Sequence, residues 1–223
     1  MSTRPTRRRS SRFRGIAADE RQAQRRRMLV EAGIEAFGTR GFHATTVREI
    51  CAKARLTERY FYESFANREA LYIAVYEHLT TQLRDAVVAA LLPARRDAGA
   101  MARAALRMLF QSFKDDPRLM RILFIDVFTI SDEVTRLSRR TTESFAELVR
   151  TMVESLYPGL SGSGYDLRLV AHGLVGAFMN TAMHWAYGGY AEPVDVVVRN
   201  CAVMFEALGA YVEHGGLQGP ASA

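Results

Sequence analysis

From Arg21 to Gly41, apolar side chains return every three or four residues, at Leu29, Ala32, Ala36 and Phe37, while Arg25, Arg26, Arg27, Glu31 and Glu35 fall largely off that stripe. This is the period of a helix with one buried face. Gly41 supplies a stop, because glycine tolerates the left-handed conformation that follows many helix ends. Thr46, with Glu49 three places on, fits a capping box and opens a helix over 47–54. A turn at Arg55-Leu56 leads to Thr57, a second hydroxyl cap, and to a helix ending near Tyr62. Asn67 then caps a long helix whose apolar stripe runs Leu71, Val75, Leu79, Leu83, Val87, Leu91.

Beyond Pro93 the pattern stays helical, with elements expected over 99–114, 117–130, 132–156, 165–188 and 194–213. Pro117 suits a first turn, and Pro158-Gly159 with Ser161–Gly164 reads as a loop. No segment alternates with period two, so the fold class is all-α.

Charge changes the picture more than composition does. Residues 1–68 carry 16 Lys/Arg against 7 Asp/Glu, whereas residues 69–223 carry 14 against 17. A basic end on a mildly acidic body points to a polyanion, either nucleic acid or an anionic membrane surface. No stretch approaches the roughly 20 apolar residues of a membrane-spanning helix, and no apolar signal core follows the basic N-terminus. The two cysteines, Cys51 and Cys201, suggest neither a disulfide framework nor a zinc site. A reducing, cytoplasmic setting is the expectation.

Helix, tight turn and short helix, flanked by helices that bury the back of both, is the architecture of a helix-turn-helix. Along Thr57–Tyr62, Phe61 faces inward with Leu56 and Phe65, leaving Thr57, Arg59 and Tyr60, with Glu58 beside them, for a major groove. Arginine pairs bidentately with guanine. Thr45, Thr46 and Arg48 stand at the N-terminus of the preceding helix, where free backbone N–H groups favour a phosphate.

The order Phe37, Gly41-Phe42, Thr45-Thr46, Ile50-Cys51, Ala54-Arg55-Leu56-Thr57, Phe61-Tyr62, Phe65 and Arg68-Glu69-Ala70-Leu71 closely resembles the tetracycline-repressor (TetR) family over residues 28–75. The resemblance implies that Thr46, Arg48, Arg59 and Tyr60 approach bases or nearby backbone, and that Tyr62 and Arg68 hold phosphates. Arg55 replaces the family's usual turn glycine, so the turn either avoids positive φ or carries strain of roughly 1–2 kcal/mol. Arg59 stands where a small residue is common, and Ser64 where histidine is. The organisation expected is a disordered basic arm over 1–20, a helix-turn-helix DNA-binding domain over 21–66, a helical effector-binding and dimerisation domain over 67–215 and a disordered tail over 216–223.

In the body, Val194, Val198, Cys201, Phe205, Leu208 and Val212 repeat at steps of a coiled-coil seam, and Leu169, Gly173, Ala177 and Thr181 form a small-residue stripe. One chain could use both faces internally. The resemblance implies a homodimer joined through these helices, with Leu169, Gly173, Ala177, Val198, Cys201, Phe205 and Leu208 at the interface. It also implies an effector cavity among the middle helices. Phe110, Phe113, Met120, Phe124, Phe128 and Met152 are its candidate apolar lining, and Asn180 and His184 its candidate polar anchors. The stretch Leu119–Phe128 is apolar on nearly all sides and should be buried.

No phosphate loop, HExxH, CxxC or serine elbow is present, and the five histidines show no ligand spacing. Neither a cofactor, a metal nor an enzyme is expected. The function expected is a DNA-binding transcriptional regulator, acting as a repressor released from double-stranded operator DNA by a small apolar effector. The rivals are an effector-independent DNA-binding protein, an all-helical enzyme and a membrane-surface protein using the arginine-rich arm.

Overall fold

The computed structural model describes residues 9–94, 97–158 and 166–214, with side chains described from Asp19 onward. Among these residues every regular element is helical: α1 (Arg9–Arg40), α2 (Val47–Ala54), α3 (Glu58–Ser64), α4 (Arg68–Leu91), α5 (Ala98–Asp115), α6 (Arg118–Met120), α7 (Asp132–Leu156), α8 (Leu167–Tyr187) and α9 (Val194–Glu213). They fall into two compact units, Met1–Val75 and Tyr76–Ala223.

In the first unit the caps are those the residues specify. Thr46 accepts from the Glu49 N–H while the Glu49 side chain returns to the Thr46 N–H, a complete capping box. Asn67 Oδ1 accepts from the Ala70 N–H at 2.8 Å. Gly41 adopts φ 86°, and its N–H closes α1 on the Phe37 carbonyl at 2.9 Å. Thr57 departs from expectation: it occupies the N-cap position of α3 without a side-chain hydrogen bond.

The unit boundary falls inside α4, beyond the junction expected at 66–67. Packing supplies the reason. Leu71, Tyr72 and Val75 are fully buried, Tyr72 packs on the rings of Phe37 and Phe42 at 5.4 and 5.5 Å, and a Cβ on Gly33 would stand 2.9 Å from Val75 Cγ2. The first two turns of α4 therefore complete the core that α1, α2 and α3 begin.

Helix α1 reaches back to Arg9, so the disordered arm expected over 1–20 is corrected from that residue onward. Residues 9–20 contain no proline, and glycine at position 15 costs only about 1 kcal/mol, so the helix propagates past its buried half. Residues 1–8, the loop expected over 159–164 and the tail expected over 216–223 lie outside the described residues.

In the second unit, α5 and α9 are tied by the ion pairs Arg103–Glu206 and Arg107–Asp195. The helix expected over 117–130 is broken: α6 passes into a π turn, Arg121–Ile125, and a 3-10 turn, Asp126–Phe128. The change in residues per turn splits the apolar stretch. Leu119, Met120, Ile122, Leu123 and Val127 are buried, but Ile125 and Phe128 face out at 39% and 57% exposure, against the expected full burial. No helix among the described residues is long and apolar enough to cross a membrane, and no group of three or more His, Cys, Asp or Glu residues is placed to hold a metal.

Candidate nucleic-acid interface and effector cavity

The short helix α3 is held from behind. Phe61 is fully buried and Phe65 nearly so, and they pack on each other at 5.9 Å. Two arginines of α1 grip the exposed side. Arg26 donates from Nη1 to the Ser64 carbonyl at 2.9 Å, and the Arg25 guanidinium lies 4.5 Å over the Tyr60 ring. In the sequence these arginines only fall off the apolar stripe of α1. No apolar period marks them, and only the facing rings reveal their role.

What remains outward is the other side of α3. Arg59 is 84% exposed with Nε on Glu63 Oε1 at 3.0 Å, and Tyr62 is 58% exposed. Thr57 is exposed with its hydroxyl unoccupied, and Arg48 of α2 is exposed as well. Tyr60 is half-buried, one ring face covered by Arg25. Thr46 is exposed, though its hydroxyl donates to Glu49 Oε2 at 2.9 Å within the capping box. Glu49 is held at a pKa of about 2, by the Thr46 backbone N–H first and then by Arg40 and the Thr46 hydroxyl.

Two expected DNA contacts are otherwise occupied. Thr45 is fully buried and its hydroxyl donates inward, to the Gly41 carbonyl at 2.7 Å and the Ala36 carbonyl at 3.3 Å, so it cannot reach a phosphate. Arg68 donates from Nη1 to the Thr45 carbonyl, and its guanidinium lies 4.2 Å over the Phe42 ring. It braces the start of α4 against the loop before α2. The turn itself uses positive φ: Arg55 sits at φ 55°, ψ 38°. Leu56 N–H then reaches the Cys51 carbonyl at 2.9 Å.

The second unit encloses a cavity of about 170 Å³ whose wall includes Tyr76, Thr80, Leu83, Val87 and Leu91 of α4. At about 1.5 Å per residue that edge is roughly 22 Å long. Aliphatic and aromatic side chains of α5, the π turn, α7, α8 and α9 make most of the rest, and among the described residues no Asp, Glu, Lys, Arg or His lines it. Tyr76, Thr80, Ser138, Thr141 and Thr142 supply hydroxyls at one end, where burial pushes the Tyr76 phenol pKa up. At the other end Ala98, Leu156, Tyr157 and Gly209 are shared with an open cleft containing Asp97, Arg103, Glu206 and Glu213. There the Tyr157 hydroxyl donates to Glu213 Oε1 at 3.0 Å.

Of the expected lining, Phe113, Phe124 and Met152 are in the wall. Phe110 and Met120 are buried outside it, Phe110 packing on Phe178 and Trp185 at 5.3 and 5.7 Å. Phe128 is exposed, and Asn180 and His184 lie on the outer face of α8, because that helix turns Leu174, Val175, Phe178 and Met179 to the cavity.

The expected dimer residues divide as well. On α8, Leu169 is 66% exposed, Ala177 is half-buried and Gly173 faces open space. On α9 the seam turns inward: Val198 and Cys201 are buried, and Phe205 and Leu208 line the cavity. Its outer face carries Val203, Met204 and Tyr211 instead. Both thiols are free and buried, and burial pushes Cys201 up to about 11.

Residues 29–75 match the model of the bacterial regulatory proteins of the tetR family. Over 180 residues the chain is 28% identical to the HTH-type transcriptional activator FasR of Mycolicibacterium smegmatis, covering 81% of this chain and 78% of that one. Among solved structures, the fatty acid degradation regulator FadR from Bacillus halodurans superposes with TM-score 0.70 at 14% identity, over 81% of this chain and 94% of that one. FadR from Bacillus subtilis in complex with stearoyl-CoA gives TM-score 0.68 at 14% identity, over 80% and 96%. All three are named as regulators. A capped helix-turn-helix over residues matched by the tetR-family model, ahead of a helical body with the fold of solved regulators, makes this chain similar in sequence and fold to TetR-family DNA-binding transcriptional regulators.

Proposed function

We propose that the protein reads a specific operator as a homodimer and that an apolar effector in the cavity of the second unit sets its hold on DNA. The observation that carries the DNA reading is the outward face of α3, where Thr57, Arg59 and Tyr62 stand exposed while Phe61 and Phe65 anchor the helix from behind. Arg59 reads a base, and Thr46, Arg48, Tyr60 and Tyr62 hold backbone around it. A twofold pair would present two such helices roughly 34–36 Å apart along one face of the duplex. The outer faces of α8 and α9, with Leu169, Gly173, Val203, Met204 and Tyr211, support that pairing.

The cavity favours this over an effector-independent protein. The described residues of its wall carry no charge, which favours a ligand whose buried part is neutral, since burying an uncompensated ion costs several kcal/mol. The stearoyl-CoA bound by Bacillus subtilis FadR supports a long acyl chain as the effector class. A chain longer than the present volume would displace the flexible Met101, Met152 and Met179 side chains of the wall. Because α4 lines the cavity and also completes the first unit's core, an effector preferring one α4 position biases the DNA-binding unit by its differential affinity.

In the resting state the apo dimer occupies its operator and represses; effector binding releases it. Selection of duplexes from random DNA, followed by titration with stearoyl-CoA, tests both halves. An enriched near-palindrome released by the acyl-CoA supports the proposal, whereas enrichment of nothing refutes the operator reading. A reporter behind the selected operator reads the sign. Expression that falls on removal of the regulator would replace repression with activation, the role named for the Mycolicibacterium relative.

A further inference from the structure

Glu63 stands on the same face of α3 as Arg59, one turn further on, and divides its carboxylate between two arginines. Oε1 accepts from Arg59 Nε at 3.0 Å, and Oε2 is 3.8 Å from Arg25 Nη2. The Arg25 side chain is only 23% exposed, stacks on Tyr60 at 4.5 Å, and has its Nε buried without a hydrogen-bond partner. Arg25 is thus fixed by its surroundings, and through it Glu63 is fixed. Arg59, 84% exposed, has no other anchor among the described contacts.

We propose that Glu63 is a positioning residue for base reading: it holds the Arg59 guanidinium by Nε, so that only the two terminal nitrogens meet a guanine. The inference rests on the operator-binding reading above. A guanidinium offers five N–H donors in a rigid fork. With Nε engaged, the side-on approach is closed, and the end-on pair is left for O6 and N7 in the major groove. A carboxylate facing a polyanion otherwise only repels. Here both of its oxygens sit against cations, which neutralises that cost while fixing the fork. Repulsion alone and positioning predict opposite outcomes when the carboxylate is removed.

The test is parallel selection of random duplexes at one fixed salt concentration by the wild type, Arg59→Ala, Glu63→Ala and Glu63→Gln, with affinity for a scrambled duplex measured alongside. The guanine position read by Arg59 is the one whose preference Arg59→Ala loses. Glu63→Ala should lower that preference by roughly fivefold or more, the lower end of what a bidentate arginine–guanine pair provides. Glu63→Gln removes the same charge but its carbonyl still accepts from Nε, so it should keep most of the preference. Both should bind scrambled DNA equally, and slightly better than the wild type. Glu63→Gln is isosteric and keeps the comparison open should Glu63→Ala fail to fold, because a Gln variant that loses the preference as Arg59→Ala does refutes the proposal. So does an unchanged motif in Glu63→Ala, or a uniform rise in affinity with the preference intact. A wild type that enriches no motif overturns the operator reading and this inference together.

Discussion

The Arg26 guanidinium stands 4.2 Å over the Phe65 ring while its Nη1 holds the Ser64 carbonyl at 2.9 Å. One side chain of α1 thereby closes the C-terminus of α3, whose last carbonyls have no intrahelical donors. Replacing it with alanine removes a charge-assisted hydrogen bond and an exposed cation–π contact, together about 1–2 kcal/mol. For Arg26→Ala the expected outcome is a melting transition of the DNA-binding unit lower by roughly 4–8 °C per kcal/mol, with all duplexes weakened in parallel. An unchanged melt would show that the brace contributes nothing.

Arg55 closes the turn in the left-handed region, at φ 55°. A side chain there costs about 1–2 kcal/mol, whereas glycine carries no steric cost and loses roughly 0.5–1 kcal/mol through unfolded-state entropy. Arg55→Gly should therefore stabilise by about 0.5–1 kcal/mol in urea unfolding, and Arg55→Val should destabilise. The two changes moving in the same direction would contradict the strain.

The same turn shows what the sequence could and could not reveal. Apolar period and caps located both ends of α2 and the start of α4, because Thr46, Glu49 and Asn67 act on their own backbone within a few residues. Side chains that act at a distance were opaque. Thr45 is expected at a phosphate from its place by a helix N-terminus and Arg68 from the family resemblance, yet buried carbonyls and the Phe42 ring already occupy them. Likewise, the α9 stripe was visible as a seam, but periodicity does not say what covers it. Val198 and Cys201 are buried within the chain itself, Cys201 meeting Thr181 of α8, and Phe205 and Leu208 line the cavity.

Glu49 makes the DNA-binding unit acid-sensitive. Its carboxyl falls from 4.5 to about 2 on folding, through the Thr46 backbone N–H first and then Arg40. A depressed folded-state value means that the native state binds its proton later than the unfolded chain does. The stabilisation is thus complete above pH 4.5 and disappears as pH falls towards 2. Glu49→Gln should be less stable than the wild type at neutral pH, and the gap should close across that window in pH-stepped urea unfolding. A gap constant from pH 6 to pH 2 would show that the box stabilises without its charge.

The cavity wall offers the sharpest separation of sensing from binding. Met152 lies in it, while the DNA-facing residues belong to the other unit. Met152→Trp occupies part of the roughly 170 Å³ now open, and an empty volume accepts the larger ring without the 1–3 kcal/mol usual for overpacking a filled core. The expected result is an unchanged or slightly higher melting temperature and unchanged operator affinity. Stearoyl-CoA affinity should be weaker by at least tenfold, about 1.4 kcal/mol. Met152→Leu, which conserves volume, should respond like the wild type. If the tryptophan variant still releases operator at the wild-type acyl-CoA concentration, the effector binds elsewhere. If it loses operator affinity without any ligand, filling the cavity is not separable from DNA binding and the predicted division of sensing from binding fails.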